Sequence, residues 1–330
     1  MDINKFNLIK KLGSGMVGTT YLSEYNNKKY ALKIEKISEK NLEPNLSTRD
    51  WRDIEFSENF ANKYPDQFIY LYKYDIIKDC KHVQEYPNNK IPEYLPKDVI
   101  KSLQDKQKSN YCIRKVYSLI DDNFSNIYKT LTKDQFYSFI GQVSYIYLLL
   151  QKKGYTHNDF HGENIGALYV DKNKKLDILN YKFPTFGIQF KSLDFGMVLH
   201  DKYKMNKEEK IMHKYYQKEE LTRSIRKLVS FENSKLLTSD KNPTLFKEIQ
   251  NHFLFKSTEK FLTDKEDRYI LFQIFHPEEF QKLLLKDKFI KTNYPILKVD
   301  LIDFIYMLRN KTNPKKIIKL CYNKLKQSHI

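Results

Sequence analysis

Cysteine is scarce in this 330-residue chain: Cys80, Cys112 and Cys321 are the only three, and they are widely spaced. No Cys/His cluster accompanies them, so nothing suggests zinc, and a reduced intracellular compartment, the cytoplasm, is the expected location. Long apolar runs are also missing. The longest, around Tyr145 to Leu150, falls far short of the ~18 residues that would suggest a membrane span, and none is expected. The first residues, Met1-Asp2-Ile3-Asn4-Lys5, lack the charged and apolar regions of a secretory leader. Acidic residues are outnumbered, 41 against 58 Lys and Arg, for a formal charge of +17. Such a balance admits acidic or nucleic-acid surfaces as partners. The lysines are dispersed, however, and the joint richness in Lys, Asn, Ile, Tyr and Phe fits AT-rich coding better than a binding face.

What is present centres on Tyr155-Thr156-His157-Asn158-Asp159-Phe160-His161-Gly162-Glu163-Asn164. Asp159 and Asn164 stand five apart. In phosphoryl transfer a carboxylate accepts the proton of the attacking hydroxyl, and a nearby amide oxygen holds a metal ion. A tight loop carrying both suits that chemistry. The competing interpretation is an ordinary turn, since His, Asn, Asp and Gly are common there.

Residues 5–37 read as strands, with Asn26-Asn27 turning a hairpin. Between them lies Gly13-Ser14-Gly15-Met16-Val17-Gly18. This pattern also occurs in dinucleotide-binding folds, where the third glycine opens a helix and an acid such as Glu35 follows. Thr19-Thr20-Tyr21-Leu22 favours a strand instead, so the glycines are expected to let backbone N–H groups approach phosphates. The next strand carries Ala31-Leu32-Lys33. Trp51 to Lys63 reads as a helix with Glu55 and Glu58 near one face. Residues 66–77 read as strand, and 78–110 as a polar insertion or mobile loop. Tyr111 to Ile120 is strand again. Lys133 to Lys153 is a helix with Phe136, Phe139, Ile140, Val143, Ile146, Tyr147 and Leu150 on one face, stopped at Gly154. Ile165 to Val170 is a strand, an extra hairpin follows, and Asp194-Phe195-Gly196 comes 30 residues after Asn164.

Taken in order, the glycine-rich hairpin, Ala-Leu-Lys, helix glutamate, His-x-Asp-x-x-x-x-Asn and Asp-Phe-Gly resemble the protein-kinase superfamily over residues 5–200. Pro184-Thr185-Phe186-Gly187 ahead of Asp-Phe-Gly resembles protein kinases of large cytoplasmic DNA viruses. The resemblance implies an α+β, two-lobed kinase-like fold. The β-rich lobe would span 1–120, with the insertion at about 78–110, and a larger, mainly α lobe 121–330. It implies that Lys33 contacts the phosphates of ATP and pairs with a helix carboxylate, Glu55 in preference to Glu58. It makes Asp159 the base and Asn164 and Asp194 the ligands of Mg²⁺ or Mn²⁺. Gly13, Ser14, Gly15, Met16, Val17 and Gly18 would cover the phosphates.

The resemblance also has gaps. Asn158 stands where regulated kinases carry Arg. His161 stands where Ser/Thr kinases carry Lys; a histidine there is similar to haspin-like kinases and to aminoglycoside and choline phosphotransferases. No Ala-Pro-Glu follows Gly196, and residues 201–227 are highly charged and expected to be helical. Asp300 to Leu308 only faintly resembles the buried helix that supports a kinase catalytic loop. The expected activity is ATP-dependent transfer to Ser/Thr hydroxyls of a protein substrate by a virus-encoded enzyme in the host cytoplasm, or packaged in a virion. The alternatives are a small-molecule phosphotransferase, a silent pseudokinase, or a nucleic-acid-binding scaffold.

Overall fold

Alternating apolar residues build an antiparallel five-stranded sheet at the N-terminal end of the chain. Its strands are β1 (Asn7–Ser14), β2 (Gly18–Tyr25), β3 (Lys28–Lys36), β4 (Leu71–Lys78) and β5 (Tyr111–Tyr117), in the order β1-β2-β3-β5-β4. The computed structural model describes residues 1–15, 18–83, 97–217, 221, 243–259, 277–286 and 313–327. Asn26 and Asn27 turn β2 into β3 with φ of 50° and 60°, the left-handed pair that a two-residue hairpin requires. One sheet face packs Tyr30, Leu32, Ile34, Cys112 and Val116 around Ile3. Because side chains alternate, Ala31, Lys33, Glu35, Ile113, Lys115 and Tyr117 fall on the other face. Helix α1 (Arg49–Asn59) is anchored by Trp51 and Ile54 against Ile37 and Ile113, and a short 3-10 turn, Ala61–Lys63, follows it.

Two expectations need correction here. The polar stretch 78–110 is not simply an insertion loop: Lys97–Lys108 forms helix α2. Its polar residues serve the sheet side of the molecule. Lys106 pairs with Asp50 of α1, Asp105 with Lys40, and Lys36 donates to the Gln107 carbonyl at 2.8 Å. The cysteines are not all separate either. Cys80 lies just beyond β4, Cys112 lies in β5 opposite Ile77, and the two form a disulfide with Cα atoms 5.5 Å apart. A low cysteine count could not reveal that strand pairing brings two of them together. The bond removes the main support for a reducing compartment.

Much of what is described beyond this sheet is organised on one long helix. After β6 (Asp122–Asn123) and the single turn α3 (Phe124–Ile127), helix α4 runs from Lys133 to Lys152. Thr132 caps it reciprocally with Gln135, and Gly154 leaves it with φ of 71°. Phe139, Ile140, Val143, Ile146, Tyr147 and Leu150 are fully buried. Strands β7 (Tyr155–Thr156), β8 (Ile165–Tyr169), β9 (Lys175–Ile178), β10 (Tyr181–Pro184), β11 (Ile188–Ser192) and β12 (Leu199–His200) follow. They form a β11-β8-β6 sheet, a β9–β10 hairpin and a β7–β12 pair.

The long gap before Asp194 is therefore ordered, and it is fastened to α4. Ser138 donates to the Pro184 carbonyl at 2.7 Å and Gln135 to that of Phe186 at 3.2 Å. Gln142 donates to Ile188 and accepts from the Phe190 N–H at 2.8 Å. Phe183 lies over Gly141, whose missing side chain makes room for the ring. Helices α5 (207–217), α6 (Pro243–Asn251), α7 (Phe253–Glu259), α8 (Pro277–Lys286) and α9 (Pro314–Gln327) complete the described part. Helix α9 packs on α4, burying Ile317, Ile318, Cys321 and Leu325. The helical expectation for 201–227 holds for 207–217, whereas 218–220 and 222–227 lie outside the described residues. The stretch Asp300 to Leu308 also lies outside them. No helix among the described residues is long and apolar enough to cross a membrane.

Candidate active site

Lys33 and Glu35 alternate onto the same face of β3, and the register sets Lys33 opposite Lys115 and Ala31 opposite Tyr117. Two lysines on one sheet face repel unless carboxylates separate them. Glu35 does this: it pairs with Lys33 Nζ at 2.9 Å through one oxygen and with Lys115 through the other. Lys115 also contacts Asp53 of α1, and the Tyr117 hydroxyl donates to Asp53 at 3.3 Å. At the open end, Lys33 donates to Asp194 Oδ2 at 3.3 Å. The group thus holds two ammonium ions and three carboxylates. Its depth is graded: the side chain of Lys115 is 1% exposed, that of Lys33 21% and that of Asp194 46%.

These neighbours compete with burial over the charge states, and at Asp53 burial raises the carboxyl above its ordinary value although Lys115 and Lys33 oppose it. The Lys33 ammonium holds the Asp194 carboxyl below its ordinary value. Burial opposes the charge on Glu35, but Lys115 and Lys33 together push its carboxyl well down. Burial likewise opposes the charge on Lys115, and Asp53 and Glu35 hold it well above the usual lysine range. Burial, with Asp53 beside it, also pushes the Tyr117 phenol up, so it stays a donor.

Glu55, the expected partner of Lys33, faces elsewhere. Its carboxylate takes Lys202 on one oxygen and the Tyr203 hydroxyl on the other, the latter at 2.6 Å. Asp53 is the α1 carboxylate that joins the lysine group, and it does so through Lys115. The physical reason is reach. Glu35 already occupies the near side of Lys33, and Glu55 is bonded to the segment after Gly196. Glu58 forms no ion pair among the described residues.

The loop after β7 brings Asp159 and Asn164 together. The Asn164 amide nitrogen donates to the Asp159 carbonyl at 2.8 Å and to its carboxylate at 3.2 Å. His157 is buried beneath, its ring donating through Nε2 to the Leu193 carbonyl at 3.1 Å. Burial lowers its pKa, so the ring is neutral. Leu193 N–H in turn donates to the Asn164 carbonyl at 2.9 Å, which fixes the loop against the residue before Asp194. Asn158 has φ of 64°; its amide donates to Thr156 and to the Met197 carbonyl at 2.9 Å. Asp194 has φ of 54° and accepts from the Gly196 N–H at 3.3 Å. Phe195 is buried against Phe56 of α1, Phe68 and His157. His161 Nε2 lies 3.7 Å from Asp159 Oδ1.

Gly13, Ser14 and Gly15 are exposed, and a side chain on Gly13 or Gly15 would meet nothing within 4 Å. The space above them is open. Gly18 differs: a Cβ there would lie 2.5 Å from Glu35 Cγ and 2.7 Å from the Ile34 carbonyl. The Gly15 N–H closes the turn on the Gly18 carbonyl at 2.9 Å. Met16 and Val17 lie outside the described residues.

With its amide nitrogen turned to Asp159, Asn164 has its amide oxygen for a cation. That oxygen and the Asp194 carboxylate are hard donors suited to Mg²⁺ or Mn²⁺, which commonly take only one or two protein ligands beside substrate phosphates. Among the described residues no group of three or more His, Cys, Asp or Glu forms a metal cluster. Sequence reasoning missed Lys115, Asp53 and Glu35 as site residues. One signal was available: a lysine inside the apolar strand Cys112-Ile113-Arg114-Lys115-Val116-Tyr117 needs a buried anion. No protein-family model matches the chain, and no curated protein matches it either.

Proposed function

We propose that the chain is a two-lobed, protein-kinase-like enzyme that transfers the γ-phosphoryl group of ATP to Ser/Thr hydroxyls of a protein. One observation carries this reading. Lys33 and Asp194, 161 residues apart, meet at 3.3 Å, while Leu193 is tied to the loop that joins Asp159 to Asn164. Phosphoryl transfer depends chiefly on positioning and electrostatic stabilisation, and this arrangement offers both.

In this reading the acceptor hydroxyl attacks the γ-phosphorus, the bond to the β–γ bridging oxygen breaks, and Asp159 takes the hydroxyl proton. Asn164 orients the Asp159 carboxylate through its amide. Lys33 donates to the phosphates, and the exposed backbone of Gly13 to Gly15 covers them. Asn164 and Asp194 would hold Mg²⁺ or Mn²⁺, which would neutralise phosphate charge. His161, 3.7 Å from Asp159, stands on the acceptor side.

The test is transfer of labelled phosphate from ATP with Mg²⁺ to a mixture of proteins, with aminoglycosides and choline as competing acceptors. Wild type should label protein Ser and Thr. Asp159→Asn should lower kcat by roughly 10²–10⁴-fold, the usual contribution of a general base. Asp194→Asn and Lys33→Met should abolish turnover in protein that circular dichroism shows to be folded. Label appearing only in small molecules would replace the protein acceptor, and full activity in Asp159→Asn would overturn the proposal.

A further inference from the structure

We propose that Lys115 and Asp53 are positioning residues for Lys33, acting through Glu35; the catalytic consequence rests on the kinase reading above. Four side chains form one line of alternating charge. Asp53 on α1 binds Lys115, Lys115 binds Glu35, and Glu35 binds Lys33. The line runs from buried to open: Asp53 and Lys115 are almost wholly enclosed, and Lys33 reaches the half-exposed Asp194.

A buried lysine costs free energy unless anions match it. Here one anion comes from the helix and the other from the strand next to Lys115. Displacing α1 would take Asp53 from Lys115, leave Lys115 to draw on Glu35 alone, and so shift the carboxylate that Lys33 also uses. The ammonium of Lys33 would lose its fixed direction. Tyr117 reinforces the buried end through its hydroxyl.

A second observation points the same way. The side chain of Glu35 occupies the space in which a Cβ on residue 18 would stand, so Gly18 packs directly on it. One glutamate side chain therefore supports the lysine through its carboxylate and the last glycine of the turn through its methylene. The helix carboxylate expected to touch Lys33 directly is replaced by a relay of two residues.

The experiment compares wild type with Lys115→Met/Asp53→Leu, which removes the two buried charges together and so avoids stranding either one. Lys115→Arg and Asp53→Asn accompany it, so the question is decided even if the double variant does not fold. The first readout is acetylation of Lys33 by an amine-reactive reagent, followed by mass spectrometry. It should be slow in wild type and at least severalfold faster in the double variant and in Asp53→Asn, with Lys115→Arg in between. The second readout is steady-state kinetics: KM for ATP should rise and kcat fall, lowering kcat/KM by tenfold or more, with Lys115→Arg partly restored. Unchanged Lys33 labelling in a folded variant, or kinetic constants within twofold of wild type, overturns the relay. A wild-type protein that transfers no phosphate overturns the kinase reading instead, while the labelling still decides whether Lys33 is held from Asp53.

Discussion

Alanine in place of Gly141 should destabilise this chain, although glycine to alanine inside a helix ordinarily stabilises by about 1 kcal/mol. Gly141 lies in the middle of α4, and a Cβ there would stand 2.1 Å from Cζ and 2.7 Å from Cε1 of Phe183. That ring is fully buried, with Tyr322 of α9 at 6.1 Å between centroids, so it has no solvent to move into. Overpacking a filled core typically costs about 1–3 kcal/mol. A contact of 2.1 Å puts this clash in the upper part of that range, so it exceeds the gain in helix propensity, for a net loss of about 1–2 kcal/mol. Urea unfolding monitored by circular dichroism reads this directly. In a Phe183→Leu background the same substitution should become neutral or stabilising, because the ring tip is gone. A rise in stability for Gly141→Ala in the native background would refute the reasoning, since it would mean that the β9–β10 hairpin does not seat Phe183 on α4.

Arg52→Met should cost about 3 kcal/mol or more, the usual result of breaking a buried ion pair from one side. Its guanidinium holds Glu209 at 2.7 and 3.2 Å and three backbone carbonyls, of Leu46, Ser47 and Lys204. Adding Glu209→Gln should restore part of the loss, and thermal melts that show strict additivity would deny the coupling. Stability should also fall as pH drops from 7.5 to 5.5. Burial lowers the pKa values of His157, His200 and His213, so the unfolded chain, with imidazoles near ~6.5, binds protons that the folded chain refuses. A melting temperature that stays flat over that range would show that these rings take up protons as readily in the fold as in the unfolded chain. Reducing Cys80–Cys112, separated by 32 residues, should cost about 3–4 kcal/mol by loop-closure entropy. Mass spectrometry finding three thiols in protein folded in air would contradict the pairing, and equal melting with and without reductant would contradict the magnitude.

Where local chemistry decides the structure, the sequence was readable. Asn26-Asn27 needed no partner to signal a hairpin, and Thr132 with Gln135 capped a helix whose apolar period was plain. The pairing of Asp159 with Asn164 follows from a spacing within one loop. What depended on distant registers was hidden. Glu55 and Asp53 are two residues apart on α1, and nothing local says which one meets the lysines of the sheet. The choice was made by Lys202 and Tyr203, which draw Glu55 away, and by Lys115, which reaches Asp53 from β5. The cysteine pair was concealed in the same manner, because β4 and β5 had to be aligned before Cys80 could meet Cys112. Helix α2 was masked by its polarity, since its lysines and Asp105 find their partners on other elements.

The left-handed backbone at Asn158 and Asp194 carries a consequence for how this protein can change. Each side chain pays a conformational penalty of about 1 kcal/mol that glycine would not. At position 158 the amide's bonds to Thr156 and Met197 offset it, and at position 194 the link to Lys33 does so in part. Glycine at either place would relax the backbone while deleting those bonds, and at position 194 also a carboxylate that the proposed function requires. Under the proposed function, backbone comfort and activity pull in opposite directions at position 194, where the link to Lys33 offsets only part of the penalty.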